Sequence, residues 1–119
     1  MFCRNQSASI MAQKISKKVN IAVKKYIDAV REDIPIEKVI LYGSHAKGIA
    51  KKNSDIDIAI ISKKFGKNYQ EEGKFLFRKL WDVAYSDIEP IGYSPKDFDT
   101  LNPSPLLAEI KKYGREIRV

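Results

Sequence analysis

The segment LYGSHAKGIAKKNSDIDIAI, residues 41–60, constrains the chain more than any other. It ends one apolar run on Gly43-Ser44, crosses a basic and polar stretch, and opens a second apolar run that carries Asp55 and Asp57. Short runs of β-branched and large apolar residues closed by turn formers read as strands. EKVILYG is such a run and is expected to be buried on both faces or nearly so. SDIDIAII alternates, which assigns Ile56, Ile58 and Ile60 to one face and Asp55, Asp57 and Ala59 to the other. The two carboxylates therefore project the same way from the mouth of a strand.

The rest of the chain frames this pair. Ile15, Val19, Ala22, Val23, Tyr26, Ile27 and Val30 recur at helical spacing between lysines, predicting an amphipathic helix over residues 11–32 that stops before Pro35. A second helix is expected over 69–84, on the pattern of Leu76, Leu80, Val83 and Ala84 with Phe75 and Phe77 alongside. SDIEPIGY reads as a strand with Asp87, Glu89 and Ile91 on one face, and Pro90 marks it as an edge strand or a strand end. Ser94-Pro95 opens a turn into a short helical piece near Asp97. Residues 106–113 read as a helix capped by Gly114, and REIRV as a last short strand. The order, without repeats or low-complexity tracts, is that of one α/β or α+β domain with a small mixed sheet flanked by helices.

Residues 1–10 show no helical pattern and are expected to be a disordered extension, with 11–119 forming the domain and Met11 a candidate natural start. MFCRNQSASI lacks the apolar core of a secretory signal, and no later stretch is long and apolar enough to span a bilayer. The single cysteine, Cys3, can form no internal disulfide, so a reducing cytoplasm is the expected compartment. Twenty-two Lys and Arg against fifteen Asp and Glu give a net charge of +7, which favours phosphates, nucleic acid or an acidic partner. The lysines are spread without interleaved stacking aromatics, which ranks direct nucleic-acid binding low.

Gly43 permits a tight turn and close approach of backbone N–H groups to a ligand, and Ser44 can cap a following helical turn or bond a phosphate oxygen. A Gly-Ser turn alone more often means a capped helix start, and a lone D-x-D more often means a solvent-facing strand end. The combination, with ten residues between Ser44 and Asp55, points to a phosphate seat facing a pair of Mg²⁺ ligands. Lys47, Lys51 and Lys52 follow the turn and are candidates for triphosphate contacts. His45 is expected to flank a nucleotide rather than act as a base. Tyr42 is expected to pack beneath the turn, and Phe77 and Trp81 to pack either the core or a partner surface.

Gly43-Ser44, ten residues, then Asp55-x-Asp57 after an apolar strand resembles the signature of the DNA polymerase beta-like nucleotidyltransferase superfamily. The length and YGSHAKG resemble its minimal nucleotidyltransferase branch, and the order of elements follows that family across nearly the whole chain. The resemblance implies that Gly43 and Ser44, with Lys47, hold the phosphates of ATP and that Asp55 and Asp57 ligate two Mg²⁺ ions. It also implies a third carboxylate on a neighbouring strand, for which Asp87 and Glu89 share the required parity; Glu89, beside the Pro90 break, is favoured. The branch further implies a small helical HEPN-type partner, the chain being the antitoxin that transfers AMP to a tyrosine hydroxyl of that toxin. An aminoglycoside-type small-molecule transferase, its pocket completed by a second copy of the chain, and a non-catalytic nucleotide-binding or partner-inhibiting module are the alternatives.

Overall fold

The computed structural model describes residues 15–83 and 87–118. The expected N-terminal extension, the helix start at Met11, and the readings at Ala84, Ser86 and Val119 lie outside them. Helix α1 (Lys17–Arg31) begins where Ser16 Oγ accepts the Val19 N–H at 3.1 Å. Strand β1 (Lys38–Tyr42), a helical turn α2 (Ser44–Lys47), and strand β2 (Ile56–Ile61) follow. Helix α3 (Tyr69–Val83) leads to β3 (Ile88–Tyr93), short α4 (Pro95–Phe98), α5 (Pro105–Tyr113) and β4 (Arg115–Ile117).

The sheet order is β3-β2-β1-β4. β1 pairs antiparallel with β2 and with β4, whereas β2 and β3 are parallel and need the α3 crossover between them. Pro90 sits within β3, opposite Ile58, and is tolerated because β3 is an edge strand. Alternation along β2 divides the sheet as its sequence requires. Ile56, Ile58 and Ile60 join Val39, Leu41, Ile88 and Ile117 in a core closed by α1 and α3. On the opposite face Ile40 and Ala59 pack against Ile110 of α5, with Tyr42, Ile91, Tyr93 and Phe98 half-buried around them.

Local chemistry fixes the helix ends. Asn68 Oδ1 accepts the Glu71 N–H at 3.1 Å, and the Glu72 carboxylate accepts the N–H groups of Gly66, Lys67 and Asn68 at 2.9, 3.0 and 2.9 Å. These bonds satisfy donors at the start of α3 that its own ladder leaves free. Gly114 follows α5 as expected, but with an extended backbone (φ −66°, ψ 152°) in place of a left-handed cap. Its bareness is a packing requirement, because a Cβ there would collide with the Ile110 carbonyl and the Ile40 side chain.

One polar bond ties the two helices of the closed face together. The fully buried Tyr26 hydroxyl donates to the Leu76 carbonyl at 2.6 Å, joining α1 to α3 across fifty positions. Burial pushes the Tyr26 hydroxyl well above the ordinary tyrosine range, keeping it a donor. Tyr26→Phe should destabilise the domain by about 1 kcal/mol, the net worth of such a bond. Urea denaturation should show a lower midpoint with an unchanged slope.

Candidate functional site

The site grows from the register between β1 and β2. Tyr42 pairs with Asp57, and Asp57 pairs in turn with Glu89 on β3, so the three side chains form one row across the open face of the sheet. The chain then turns at Gly43, whose φ of 73° and ψ of −152° lie in a region open essentially to glycine. A Cβ at Gly43 would collide with Asp57 Oδ2. The turn and the D-x-D strand are thus in direct contact.

α2 is the helical turn that follows, with Ala46 and Lys47 N–H groups both donating to the Gly43 carbonyl at 3.1 Å. His45 Nε2 donates to the Ser54 carbonyl at 3.2 Å, which fastens α2 to the loop immediately ahead of Asp55. That loop is itself a closed turn, Ser54 Oγ accepting the Lys51 N–H at 2.8 Å and the Lys51 carbonyl accepting the Ser54 N–H at 3.0 Å. His45 is therefore a clamp between the two halves of the motif.

The carboxylates crowd one another. Burial raises the Asp57 carboxyl above its usual range and the charge of Asp55 adds to it, while His45 acts in the opposite sense and Glu109 raises it further. Glu89 is raised chiefly by the charge of Asp55, with burial, a hydrogen bond to Asp55 and the charge of Asp57 following. Tyr42 is pushed up to about 12 by burial and then by Asp57, Tyr93, Glu89 and Glu109. Asp87 stands apart: it precedes the first residue of β3 and contributes its backbone carbonyl to the Ile56 N–H at 2.7 Å.

Three hard oxygen donors with surplus negative charge suit a small divalent cation. As the side chains stand, no trio of carboxylate, histidine or cysteine groups among the described residues already encloses an ion position. The charge of Asp55 is the chief cause that raises Glu89, so the two carboxylates crowd one another. A bound cation would relieve that crowding. The donor set fits a metal in chemistry and placement on the sheet.

Lys47 departs from the simplest expectation. Its Nζ lies 3.7 Å from Glu109 Oε2 and 4.9 Å from the centroid of the Tyr113 ring, so α5 holds the ammonium group. Glu109 itself carried no signal in the sequence, because only the packing of α5 against β1 brings it to this face. Tyr42 lies beside Asp57 in the row of site residues, where the strand parity places it, rather than beneath the turn. Lys51 and Lys52 are exposed.

With this geometry in place, comparison with known proteins is direct: residues 23–107 match the nucleotidyltransferase domain family, and the chain belongs to that family. It is 32% identical over 75 residues to MJ1305 of Methanocaldococcus jannaschii, named as a candidate protein adenylyltransferase. That alignment covers 60% of this chain and 51% of the relative, so the chain spans about half the length of the protein it matches. The crystal structure of a candidate nucleotidyltransferase from Sulfolobus solfataricus superimposes with a TM-score of 0.65 at 20% identity, covering 91% of this chain and 85% of that one. A toxin–antitoxin complex with AMP-PNP gives 0.57 at 24% identity, with 83% and 72% covered. A tri-AMPylated Shewanella oneidensis HEPN toxin in complex with MNT antitoxin gives 0.53 at 22% identity, with 84% and 71% covered. At these identities the likeness is one of fold, and it agrees with the nucleotidyltransferase domain family.

Gly43→Ala tests the contact at the centre of the site. The variant must adopt a backbone region that costs a side-chain-bearing residue about 1–3 kcal/mol, and must also displace the Asp57 carboxylate. A denaturation midpoint lowered by at least that strain, with the Asp57 resonances shifted in the folded variant, is the expected outcome.

Proposed function

We propose that the chain is a Mg²⁺-dependent nucleotidyltransferase that moves AMP from ATP to a hydroxyl group on a helical HEPN-type partner protein, as the antitoxin of a toxin–antitoxin pair. The observation that supports this most is the contact of the Gly43 turn with Asp57, in register with Glu89. In this reading a seat for phosphate and a place for metal lie within one side chain of each other. The names carried by the relatives, a candidate protein adenylyltransferase and an antitoxin beside an AMPylated toxin, agree with it.

In this reading Gly43 and Ser44 receive the triphosphate through the turn. Asp55, Asp57 and Glu89 hold the divalent ions, two by family resemblance. Bound metal would offset charge on the attacking oxygen and the leaving pyrophosphate in an in-line displacement. The acceptor hydroxyl oxygen bonds to the α-phosphorus, the bond from that phosphorus to the β-bridging oxygen breaks, and pyrophosphate leaves. The acceptor's proton passes to a carboxylate, for which Glu89 on the neighbouring strand is the choice the family resemblance implies. Lys47, anchored by Glu109, lies one helical turn beyond the seat and adds positive charge on the phosphate side. The cytoplasm, which supplies ATP and a reducing medium, is the compartment that suits this activity.

The test uses labelled ATP, Mg²⁺ and, as acceptor, a small helical HEPN-type protein of the kind this reading requires. Label should move to that protein, and chelation of the metal should stop it. Asp55→Asn, Asp57→Asn and Glu89→Gln should each lower the rate by at least about 100-fold, as loss of a group facing developing charge does. Asp87→Asn should remain close to wild type. Label arriving on a soluble aminoglycoside and never on protein would replace the acceptor, and ATP binding that ignores all three carboxylates would overturn the enzyme.

A further inference from the structure

The row across the open face holds one group that the transfer chemistry leaves unused. Tyr42, the last residue of β1, stands opposite Asp57, which stands opposite Glu89. Its backbone runs directly into the Gly43 turn. Opposed side chains on neighbouring strands lie about 4.5–5.5 Å apart at Cβ, and a tyrosine reaches farther from the sheet than an aspartate. The half-buried Tyr42 ring packs beside Ile40, Ala59 and Ile110. Burial first, and then the charges of Asp57, Tyr93, Glu89 and Glu109, hold its proton in place, which sets the hydroxyl among the acidic groups of the site.

That hydroxyl is a donor without an acceptor. It makes no hydrogen bond among the described residues, and it is not sealed from water. Tyr26 gives the contrast, its fully buried hydroxyl being bonded to the Leu76 carbonyl. A partly desolvated hydroxyl with no partner adds nothing to folding, and phenylalanine would fill the same place beside Ile40, Ala59 and Ile110 without loss. The fold therefore accounts for the ring at position 42 and not for its oxygen. A phenol is protonated at neutral pH, so Tyr42 brings a neutral donor to a row whose other members are acceptors.

We propose that the Tyr42 hydroxyl is a substrate-binding group that donates a hydrogen bond to a phosphate oxygen of the nucleotide. The inference rests on the nucleotidyltransferase reading, in which phosphate arrives at the Gly43 turn and metal at Asp57. Tyr42 adjoins both, through the chain on one side and through strand pairing on the other. An uncharged donor suits this position. An ammonium group among Asp57, Glu89 and Glu109 would be captured by a carboxylate, as Lys47 is by Glu109, whereas the phenol stays free until an anionic oxygen reaches it. Hydrogen bonds to a charged acceptor are the stronger kind, so loss of this one should be plain in the affinity for ATP.

Isothermal titration of ATP with Mg²⁺, without an acceptor protein, into the wild type, Tyr42→Phe and Tyr93→Phe tests the assignment. Tyr93 is the control, since it lies on the same face but opposite Ile61, at the far end of β2. Tyr42→Phe should weaken ATP about tenfold, the worth of a hydrogen bond to a charged group. It should bind Mn²⁺ alone, a probe of the carboxylates, as the wild type does, and should keep or raise the denaturation midpoint. Tyr93→Phe should bind ATP as the wild type does. Equal ATP affinity in wild type and Tyr42→Phe would overturn the assignment and leave the transferase reading standing. A wild type that binds no ATP would overturn that reading and the assignment with it. Weaker ATP binding accompanied by a lower midpoint or weaker Mn²⁺ binding would also overturn the assignment, because Tyr42 would then act through the structure of the site.

Discussion

The antiparallel register of β1 with β2 is the constraint on which the rest of the molecule depends. It sets Tyr42 opposite Asp57 and lets the Gly43 backbone come against the Asp57 carboxylate. A slip of one residue would turn Asp57 into the core and Ile56 and Ile58 out of it. The closed face resists that slip, because Ile58, Ile60, Val39 and Leu41 are almost fully buried against α1 and α3. The hydrophobic pattern that builds the domain is thus the same device that aims its carboxylates.

That aim has an energetic cost, and the fold distributes it. Asp55, Asp57 and Glu89 repel one another at the open end of the sheet, where Asp57 is half-buried and Asp55 and Glu89 are exposed. Nothing on the closed face shares the penalty. There the buried tyrosine of α1 bonds to α3, and Lys79 of α3 meets Asp33 at 2.6 Å just beyond α1. His45 is the link between the two regimes: its bond to Ser54 fixes the loop that delivers Asp55, and its charge is the one influence that eases Asp57. A site built in this way is crowded, and the scaffold is strong where the site is not.

Most of the fold was legible because its signals were local. Alternation in SDIDIAII, the lysine-spaced apolar residues of α1, and Pro90 each state a structural preference within a few residues. The aspartate pair and the glycine turn were legible for the same reason. Asp87 and Glu89 could not be separated in the sequence, since they share parity; the parallel pairing that sets Ile56 beside Ile88 leaves Asp87 outside the strand and Glu89 beside Asp57. Lys47 and Glu109 are sixty-two positions apart and meet only because α5 folds back over β1. Gly114 caps α5, as its place in the sequence suggested, and its bareness is required as well by the closeness of Ile40, a contact that no local pattern encodes.

The two faces of α3 extend this division. A helix that crosses over a parallel pair of strands must bury one side, and Leu76 and Leu80 suffice for that. Tyr69, Phe77 and Trp81 stay exposed, so they widen the apolar arc beyond what β2 and β3 can cover, and they do so beside the edge strand that carries Glu89. β3 offers its unpaired backbone on that side and the α3 stripe offers apolar contact next to it, while β4 closes the other edge with only a short strand. The sheet order therefore sets the carboxylate row and the apolar stripe of α3 beside one and the same strand.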